Sequence, residues 1–190
     1  MRKITVFENV SLDGYFAGPN GEIDWFVAEP GGQAELDEFA ADSIKSTEML
    51  LFGRVTYELM ASYWSTADAM KSNPVVAERM NNLPKIVFSR TLDDVKWQNT
   101  RLVKGNIEEE IKKMKCQPGG NMAIMGSGSI VSALAQLGLI DEYSIMVNPV
   151  VLGAGRSVFQ GVRDRLHLKL LETRTFKNSG NVLLSYQFVK

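Results

Sequence analysis

The sequence predicts an α/β protein with a mainly parallel central sheet, for three reasons. Apolar strand-like segments and amphipathic helix-like segments alternate through the first two thirds of the chain, as in sheets whose strands are joined by helical crossovers. The last third contains mostly strand-like segments, which favours antiparallel edge strands. Polar or glycine-rich turns follow several apolar strands, and such sheets bind their ligands at strand ends.

Strand-like segments are rich in β-branched and aromatic residues and are bounded by turn signals such as Asp13-Gly14. The last two are separated by a turn around residues 178–181 and should form a hairpin. The predicted strands are KITVFENV (3–10), EMLLFG (48–53), KIVFS (85–89), MAIM (122–125), EYSIMVNPVVLG (142–153), LHLKLLETRTFK (166–177) and NVLLSYQFV (181–189).

Helix-like segments place apolar residues three and four positions apart. In the first, Leu36, Phe39 and Ile44 fall on one face. Pro74 suits the first turn of another helix, and Gly138 is the expected C-terminal cap of the last. The predicted helices are QAELDEFAADSIKS (33–46), RVTYELMASYW (54–64), PVVAERMNN (74–82), IEEEIKKMK (107–115) and SIVSALAQL (129–137).

Composition limits the classes of protein that fit. The 190 residues are 45% hydrophobic and carry a formal net charge of −1, so no basic surface for nucleic acid or an anionic membrane is expected. No segment approaches the roughly 18 apolar residues of a membrane helix, and the opening residues lack a signal-peptide core. We expect one domain over residues 1–190 and a cytoplasmic location.

The chain contains one cysteine, Cys116, and one histidine, His167. Cys116 has no partner for an internal disulfide, and zinc sites usually need three or four ligands that are mostly Cys and His. We therefore expect no metal site.

The first candidate ligand site follows the strand EMLLFG. Gly53 makes the turn and Arg54 opens a helix, whose free N–H groups and partial positive charge favour a phosphate. Arg54 would add a cation and Thr56 a hydroxyl. The alternative is an ordinary helix start with a surface arginine, which the helix dipole mildly disfavours.

The second candidate follows the strand KIVFS. Ser89 and Arg90 stand side by side and could hold a phosphate monoester through a hydroxyl and a guanidinium. The alternative is a solvated strand end.

The third candidate is MGSGSIVSAL, residues 125–134. Gly126 and Gly128 permit close backbone approach or a positive φ, and Ser127 and Ser129 could cap the helix that begins near Ile130. The turn matches neither the dinucleotide G-x-G-x-x-G pattern nor a P-loop, which leaves an anion-binding helix start or a plain cap. A ligand with a pyrophosphate and a separate monoester would use all three turns, which suggests NADPH.

In this order, SLDGYFAG…DW, LLFGRVTYE, KIVFSRTL and MGSGSIVSAL resemble segments of the dihydrofolate-reductase-like superfamily. The resemblance implies a three-layer α/β fold with helices on both faces of the sheet, an antiparallel C-terminal hairpin and NADPH as cofactor. It implies that Phe16 and Ala17 lie beside the nicotinamide and that Ser89 and Arg90 surround the 2′-phosphate. The remaining implied cofactor-binding residues are Gly53, Arg54, Val55 and Thr56 near the phosphates and Gly126, Ser127, Gly128, Ser129 and Ile130 at the pyrophosphate.

Two later segments, GSIVSALAQLGLIDEY and NPVVLGAGRSVF, resemble the C-terminal reductase domain of the bifunctional riboflavin-biosynthesis deaminase–reductase. The segment GRVTYELM departs from that branch, which usually has a T-x-x-A-D-[DN]-P-like stretch there. The H-x-E and P-C-x-x-C elements of a zinc deaminase are absent. We therefore expect a stand-alone reductase-like domain.

On the substrate side, the resemblance to dihydrofolate reductases implies an acidic catalytic residue on the helix before LLFGRVTYE. Counting back from Gly53 without gaps gives Asp37, which would also bind substrate, although it could equally lie on a solvated face. Asp24 is a second catalytic candidate, and Trp25 occupies the family's aromatic position near the substrate.

These observations predict an NADPH-dependent reductase that transfers a hydride to a small heterocyclic or ribosylamine substrate. The late segments favour a substrate like 5-amino-6-(5-phosphoribosylamino)uracil, whereas GRVTYE favours dihydrofolate. A non-catalytic nucleotide-binding relative is a further alternative. The expected partner is a small-molecule substrate, with no nucleic acid or membrane, and a homodimer through NPVVLGAGRSVF and the late strands is compatible with the sequence.

Overall fold

A computed structural model describes residues 1–26 and 28–189. Its central feature is an eight-stranded sheet flanked by helices, and a short pair of strands lies apart from it. The strands are β1 Ile4–Ser11, β2 Tyr15–Ala17, β3 Thr47–Gly53, β4 Lys85–Phe88, β5 Thr100–Val103, β6 Asn121–Met125, β7 Glu142–Asn148, β8 Arg156–Ser157, β9 Leu168–Thr175 and β10 Val182–Phe188. The helices are α1 Pro30–Lys45, α2 Arg54–Trp64, α3 Ala67–Ser72, α4 Pro74–Asn82, α5 Ile107–Lys115 and α6 Gly128–Gln136, with a 3₁₀ turn at Asp24–Phe26.

The sheet has the order β5-β4-β3-β6-β1-β7-β10-β9. From β5 to β7, each strand is parallel to the next one in this order. Strand β10 is antiparallel to both β7 and β9. The prediction of a mainly parallel sheet that ends in an antiparallel C-terminal hairpin is therefore confirmed.

Helices cover both faces of the sheet, as predicted. On one face, α5 and α6 bury Ile111, Val131 and Leu134 against β1 and β6. On the other, α1, α2 and α4 bury their apolar sides against β3 and β4 around Phe52 and Trp97. Among the described residues, no helix combines the length and apolarity needed to cross a bilayer.

The helices at 54–64, 74–82 and 107–115 have the predicted bounds. The strand predicted over 142–153 is too long, because β7 ends at Asn148, whose buried amide donates to the Val10 and Met146 carbonyls. Helix α1 begins earlier than predicted, at Pro30, since a proline fits a first helical turn. Helix α3, strand β5 and the β2–β8 pair were not predicted.

Candidate functional site

The three candidate turns follow three adjacent strands. Strands β4, β3 and β6 are neighbours in the sheet and run in the same direction, so the turns after Phe88, Gly53 and Met125 lie side by side along one edge. This is the carboxyl edge, where open α/β sheets bind ligands. The topology thus brings together segments that are far apart in the sequence.

The turn after β6 has an unusual backbone. Gly126 and Ser127 both adopt positive φ, at 65° and 67°. A Cβ on Gly126 would lie 3.0 Å from Cγ2 of Thr56, so only glycine fits without displacing the first turn of α2. The Gly53 N–H donates to the Ser127 Oγ at 2.9 Å in a buried bond, which fixes the turn after β3 to the turn after β6.

The predicted serine caps of α6 are wrong. Ser127 is the N-cap residue, but its left-handed conformation prevents its side chain from capping the helix, and its hydroxyl binds Gly53 instead. Helix α6 begins at Gly128, which includes Ser129 in the helix, where its side chain is exposed. The start of α6 therefore carries no side-chain oxygen cap.

The loop after β1 reaches the start of α6. A Cβ on Gly128 would lie 2.8 Å from the Phe16 ring, so this ring lies directly against the helix. A Cβ on Gly53 would lie 3.3 Å from Cγ1 of Ile130. The segments predicted to contact the nicotinamide and the pyrophosphate are thus neighbours.

The polar side chains of the other two turns have local partners. Arg54 is exposed and pairs with Glu58 one turn further along α2, at 3.0 Å between Nη1 and Oε2. Ser89 Oγ accepts hydrogen bonds from the Thr91 and Leu92 N–H groups at 3.2 and 3.1 Å. Arg90 is exposed.

A cavity of about 570 Å³ opens beside these turns, between α1 and the sheet. Its wall is mainly apolar and includes Phe7, Phe39 and Met125, together with Val55 and Thr56 from the start of α2. Phe16, Ala17, Gly126 and Ser127 also line it. The cavity is therefore continuous with the carboxyl edge of the sheet and is large enough for a small molecule.

The acidic residues predicted for catalysis do not line this cavity. Asp37 is half-buried on α1 and accepts a hydrogen bond from Gln33 at 2.9 Å, whereas the cavity is lined from α1 by Phe39, Ala40, Ser43 and Ile44. Asp37 is therefore absent from the cavity wall, although its spacing of three and seven positions places it on the same side of the helix as Ala40 and Ile44.

Asp24 and Trp25 lie in the 3₁₀ turn. Asp24 is exposed and the Trp25 indole donates to the Glu22 carbonyl at 3.0 Å. Their neighbours Ile23 and Phe26 line the cavity, but Asp24 and Trp25 do not.

Glu8 is a buried carboxyl that the sequence analysis missed, on the face of β1 that packs towards α5 and α6. It is 3% exposed, and its Oε1 is buried without a hydrogen-bond partner among the described residues. Burial raises the pKa of this carboxyl to about 8. The signal was in the alternation of β1, where Ile4, Val6, Glu8 and Val10 share the buried face.

The residues SLDG form a clamp of hydrogen bonds between two loops. Asp13 accepts hydrogen bonds from the Leu152 and Gly153 N–H groups at 3.1 and 2.7 Å, and the Ser11 hydroxyl donates to it at 2.6 Å. The hydrogen bond from Ser11 lowers the pKa of the Asp13 carboxyl. The clamp joins the loop after β1 to the segment after β7.

A family model for the RibD C-terminal domain matches residues 2–182. The chain belongs to this family. It is 33% identical over 187 residues to the uncharacterised protein YyaP of Bacillus subtilis, covering 98% of this chain and 95% of that protein.

Two solved structures have the same fold as this RibD C-terminal domain. One is a protein from Shewanella sp. PV-4 named for riboflavin biosynthesis, with a TM-score of 0.77, 22% identity and 99% of both chains covered. The other is the dihydrofolate reductase of Enterococcus faecalis in complex with NADP(H), with a TM-score of 0.65, 14% identity and coverage of 99% of this chain and 97% of that chain. The prediction of a dihydrofolate-reductase-like fold related to the RibD reductase domain is confirmed.

Proposed function

We propose that this protein is an NADPH-dependent reductase whose substrate is a small heterocyclic or ribosylamine compound of the kind used in riboflavin biosynthesis. The proposal rests mainly on one observation. The turns after β4, β3 and β6 lie side by side at the carboxyl edge of the sheet, and the cavity between α1 and the sheet opens next to them. Membership of the RibD C-terminal domain family supports it, as does the likeness in fold to a dihydrofolate reductase in complex with NADP(H).

The residues at this edge fit a dinucleotide. Helix α6 begins at Gly128 without a side-chain cap, and the N–H groups of a first helical turn suit a pyrophosphate. The Ile130 N–H is an exception, because it donates to the Ser127 carbonyl at 2.8 Å. Arg90, which follows the neighbouring strand β4, is an exposed cation that suits a 2′-phosphate. In this proposal Phe16 and Ala17 flank the nicotinamide, and Arg54, Val55 and Thr56 lie along the phosphates.

When bound, the dihydronicotinamide supplies a hydride to an electrophilic carbon. The chain contributes orientation and exclusion of water. Phe7, Phe39 and Met125 give the cavity an apolar wall, and Phe16 closes it at the start of α6. No nucleophilic side chain is needed for this chemistry.

The cavity favours the riboflavin-type substrate over dihydrofolate. The residues with which α1 lines it are Phe39, Ala40, Ser43 and Ile44, which include no carboxylate for a pterin ring. Among the described residues that line the cavity, the cationic one is Arg156 on β8. A guanidinium suits the phosphate of a phosphoribosyl group.

The test measures binding of NADPH and NADH by fluorescence, with the parent protein and Arg90→Ala. We expect NADPH to bind more tightly than NADH. Arg90→Ala should lower the ratio of the NADH and NADPH dissociation constants about tenfold, which is the effect of losing one charge-assisted hydrogen bond to phosphate. Arg163→Ala, an exposed arginine remote from β4 in the sequence, is the matched control. Equal affinity of the parent for both cofactors would refute the assignment of the 2′-phosphate to Arg90.

Turnover is tested by loss of dihydronicotinamide absorbance with 5-amino-6-(5-phosphoribosylamino)uracil and with dihydrofolate. We expect oxidation with the uracil compound. Tight NADPH binding without turnover of any pyrimidine or pteridine would favour a non-catalytic nucleotide-binding protein.

A further inference from the structure

Asn9 presents a side-chain amide to the cavity between α1 and the sheet. It is half-buried and lines the cavity. Phe7, two residues earlier on β1, faces α1, because its ring centre lies 6.1 Å from that of Phe39. Residues two apart on a strand share a face, and Met146, the β7 neighbour of Asn9, is also buried on this side. The Asn9 side chain therefore faces the same space as Phe7.

Asn9 lies beyond the part of β1 that pairs with β6. That pairing ends at Phe7 and Met125, whereas the pairing with β7 continues to Ser11 and Asn148. In the proposed function the phosphates of the cofactor lie along the turns after β4, β3 and β6, on one side of β1. The partner of the Asn9 side chain is Asn148, on the other side of β1. Asn9 therefore faces the part of the cavity that the phosphates leave to the substrate.

Two buried asparagines fix the orientation of the Asn9 amide. Asn148 and Asn181 are 3% and 2% exposed. The Asn148 Nδ2 donates to the carbonyls of Val10 and Met146, both at 3.1 Å, and its Oδ1 accepts from the Asn181 Nδ2 at 2.7 Å. Main-chain carbonyls only accept, so the nitrogen of Asn148 is the atom that faces them. The Asn9 atom 3.3 Å from this nitrogen is then the acceptor of its amide, Oδ1.

The same contacts leave the Nδ2 group of Asn9 available to a ligand. Among the residues that the structure describes, the bond from Asn148 is the hydrogen bond that the Asn9 side chain makes. The carbonyls of Val10 and Met146 already match the two hydrogens of the Asn148 amide, so the buried network does not need Asn9 to be satisfied. Small-molecule sites orient their ligands with a few fixed polar groups in a mainly apolar wall.

We propose that Asn9 binds the substrate, its Nδ2 donating a hydrogen bond to a ring carbonyl oxygen of the heterocycle. Because Oδ1 accepts from Asn148, the side chain offers the ligand a donor. A uracil ring has carbonyl oxygens that accept such a bond, whereas a ring amino group at the same place would meet a second donor. Asn9 thus selects the heterocycle by its acceptors. The inference rests on the proposed function, since it requires a heterocyclic substrate in this cavity.

The experiment measures binding of 5-amino-6-(5-phosphoribosylamino)uracil by calorimetry to the protein saturated with NADP⁺, which prevents turnover. We expect Asn9→Ala to raise the dissociation constant about tenfold, the effect of losing one neutral hydrogen bond. Asn9→Asp should raise it about 100-fold, because one carboxylate oxygen accepts from Asn148 and the other faces the ring carbonyl. The affinity of Asn9→Ala for NADPH, measured by fluorescence, should stay within about twofold of the parent.

Two analogues test the direction of the hydrogen bond. In each, one of the two ring carbonyls of the uracil compound is replaced by an amino group. The parent should bind one of these analogues more weakly than the uracil compound. Asn9→Asp should prefer that same analogue, since a carboxylate accepts from an amino group. Asn82→Asp is the control, because it adds the same charge at an exposed position at the end of α4 and should keep the preference of the parent.

The outcomes separate this inference from the proposed function. Equal affinity of the parent, Asn9→Ala and Asn9→Asp for the uracil compound, or an unchanged preference in Asn9→Asp, overturns the contact while the proposed function stands. A parent that binds NADPH but no uracil compound refutes the proposed substrate together with this contact. If Asn9→Asp does not fold, Asn9→Ala and the analogues with the parent still decide.

Nuclear magnetic resonance supplies a readout at the proposed atom. The two side-chain amide hydrogens of Asn9 are assigned by the loss of their signals in Asn9→Ala. They should shift when the uracil compound binds to the complex with NADP⁺. Signals that stay in place while the compound binds overturn the proposal.

Discussion

Two buried titratable side chains, Lys85 and Glu8, occupy opposite edges of the same sheet and have opposite surroundings. Lys85 begins β4 and is 1% exposed. Its Nζ donates to the carbonyls of Met80, Asn81 and Leu83 at 2.8, 3.0 and 2.7 Å and lies 4.5 Å from the centre of the Trp97 ring. Glu8 lies towards the carboxyl edge, and its Oε1 has no partner among the described residues.

The difference separates a charged group that the fold stabilises from a carboxyl that the fold leaves without a partner among the described residues. Burial lowers the pKa of Lys85 to about 8, while three carbonyl acceptors and the C-terminus of α4 stabilise its ammonium form. All three N–H donors of the Lys85 ammonium group bond to carbonyls of the chain. The side chain therefore caps the C-terminus of α4 and has no donor available for a ligand. Glu8 has hydrogen-bonding capacity that the fold does not use.

The largest effect expected from this comparison is a pH dependence of stability caused by Glu8. Its pKa is about 8 in the folded protein against 4.5 for a free side chain. Between these values the folded state keeps a proton that the unfolded state has lost, so the free energy of unfolding falls as the pH rises, by about 1.4 kcal/mol per pH unit. Glu8→Gln should remove this slope in urea unfolding, and an unchanged slope would show that Glu8 is ionised in the fold.

Lys85→Met should come next in size. The variant leaves the buried Met80 and Leu83 carbonyls without their donor and removes one of three donors to the Asn81 carbonyl. We expect the free energy of unfolding to fall by about 3 kcal/mol. Lys104→Met, which removes an exposed pair with Asp93 at 3.4 Å, should cost about 0.5 kcal/mol or less. Equal effects of the two variants would mean that the contacts of Lys85 do not stabilise the fold.

The smallest effect is expected for Ser127→Ala. It leaves the buried Gly53 N–H without an acceptor and should cost about 1 kcal/mol of stability. NADPH affinity should change little, because the proposed contacts of this turn are made by backbone N–H groups. Ser129→Ala, at an exposed position two residues away, is the control, and a large loss of NADPH affinity confined to Ser127→Ala would place the Ser127 hydroxyl in direct contact with the ligand.

Most of the fold could be predicted from local patterns. Helices such as α4 and α5 carry their own signals, including the proline at the start of α4 and the Glu108–Lys112 pair on α5. The β2–β8 pair joins segments remote in sequence through so few residues that no local pattern indicates it.

The site was predictable in outline only. Turns such as the one at Gly126 are visible in the sequence because glycine marks backbone that other residues avoid. The direction of a side chain is decided by packing, so neither the Ser127–Gly53 bond nor the placement of Asp37 off the cavity wall could be read from spacing. The burial of Glu8 was missed because the alternation of a strand does not show that both of its faces are covered.

The central position of β1 has a consequence for biosynthesis. This strand lies between β6 and β7, and Ile4 finds its β6 partner only at Met122. During translation both edges of β1 stay unpaired until most of the described chain has left the ribosome. The central part of the sheet therefore forms late in synthesis. Until β6 and β7 have been translated, β1 is an unpaired apolar strand that could associate with other molecules.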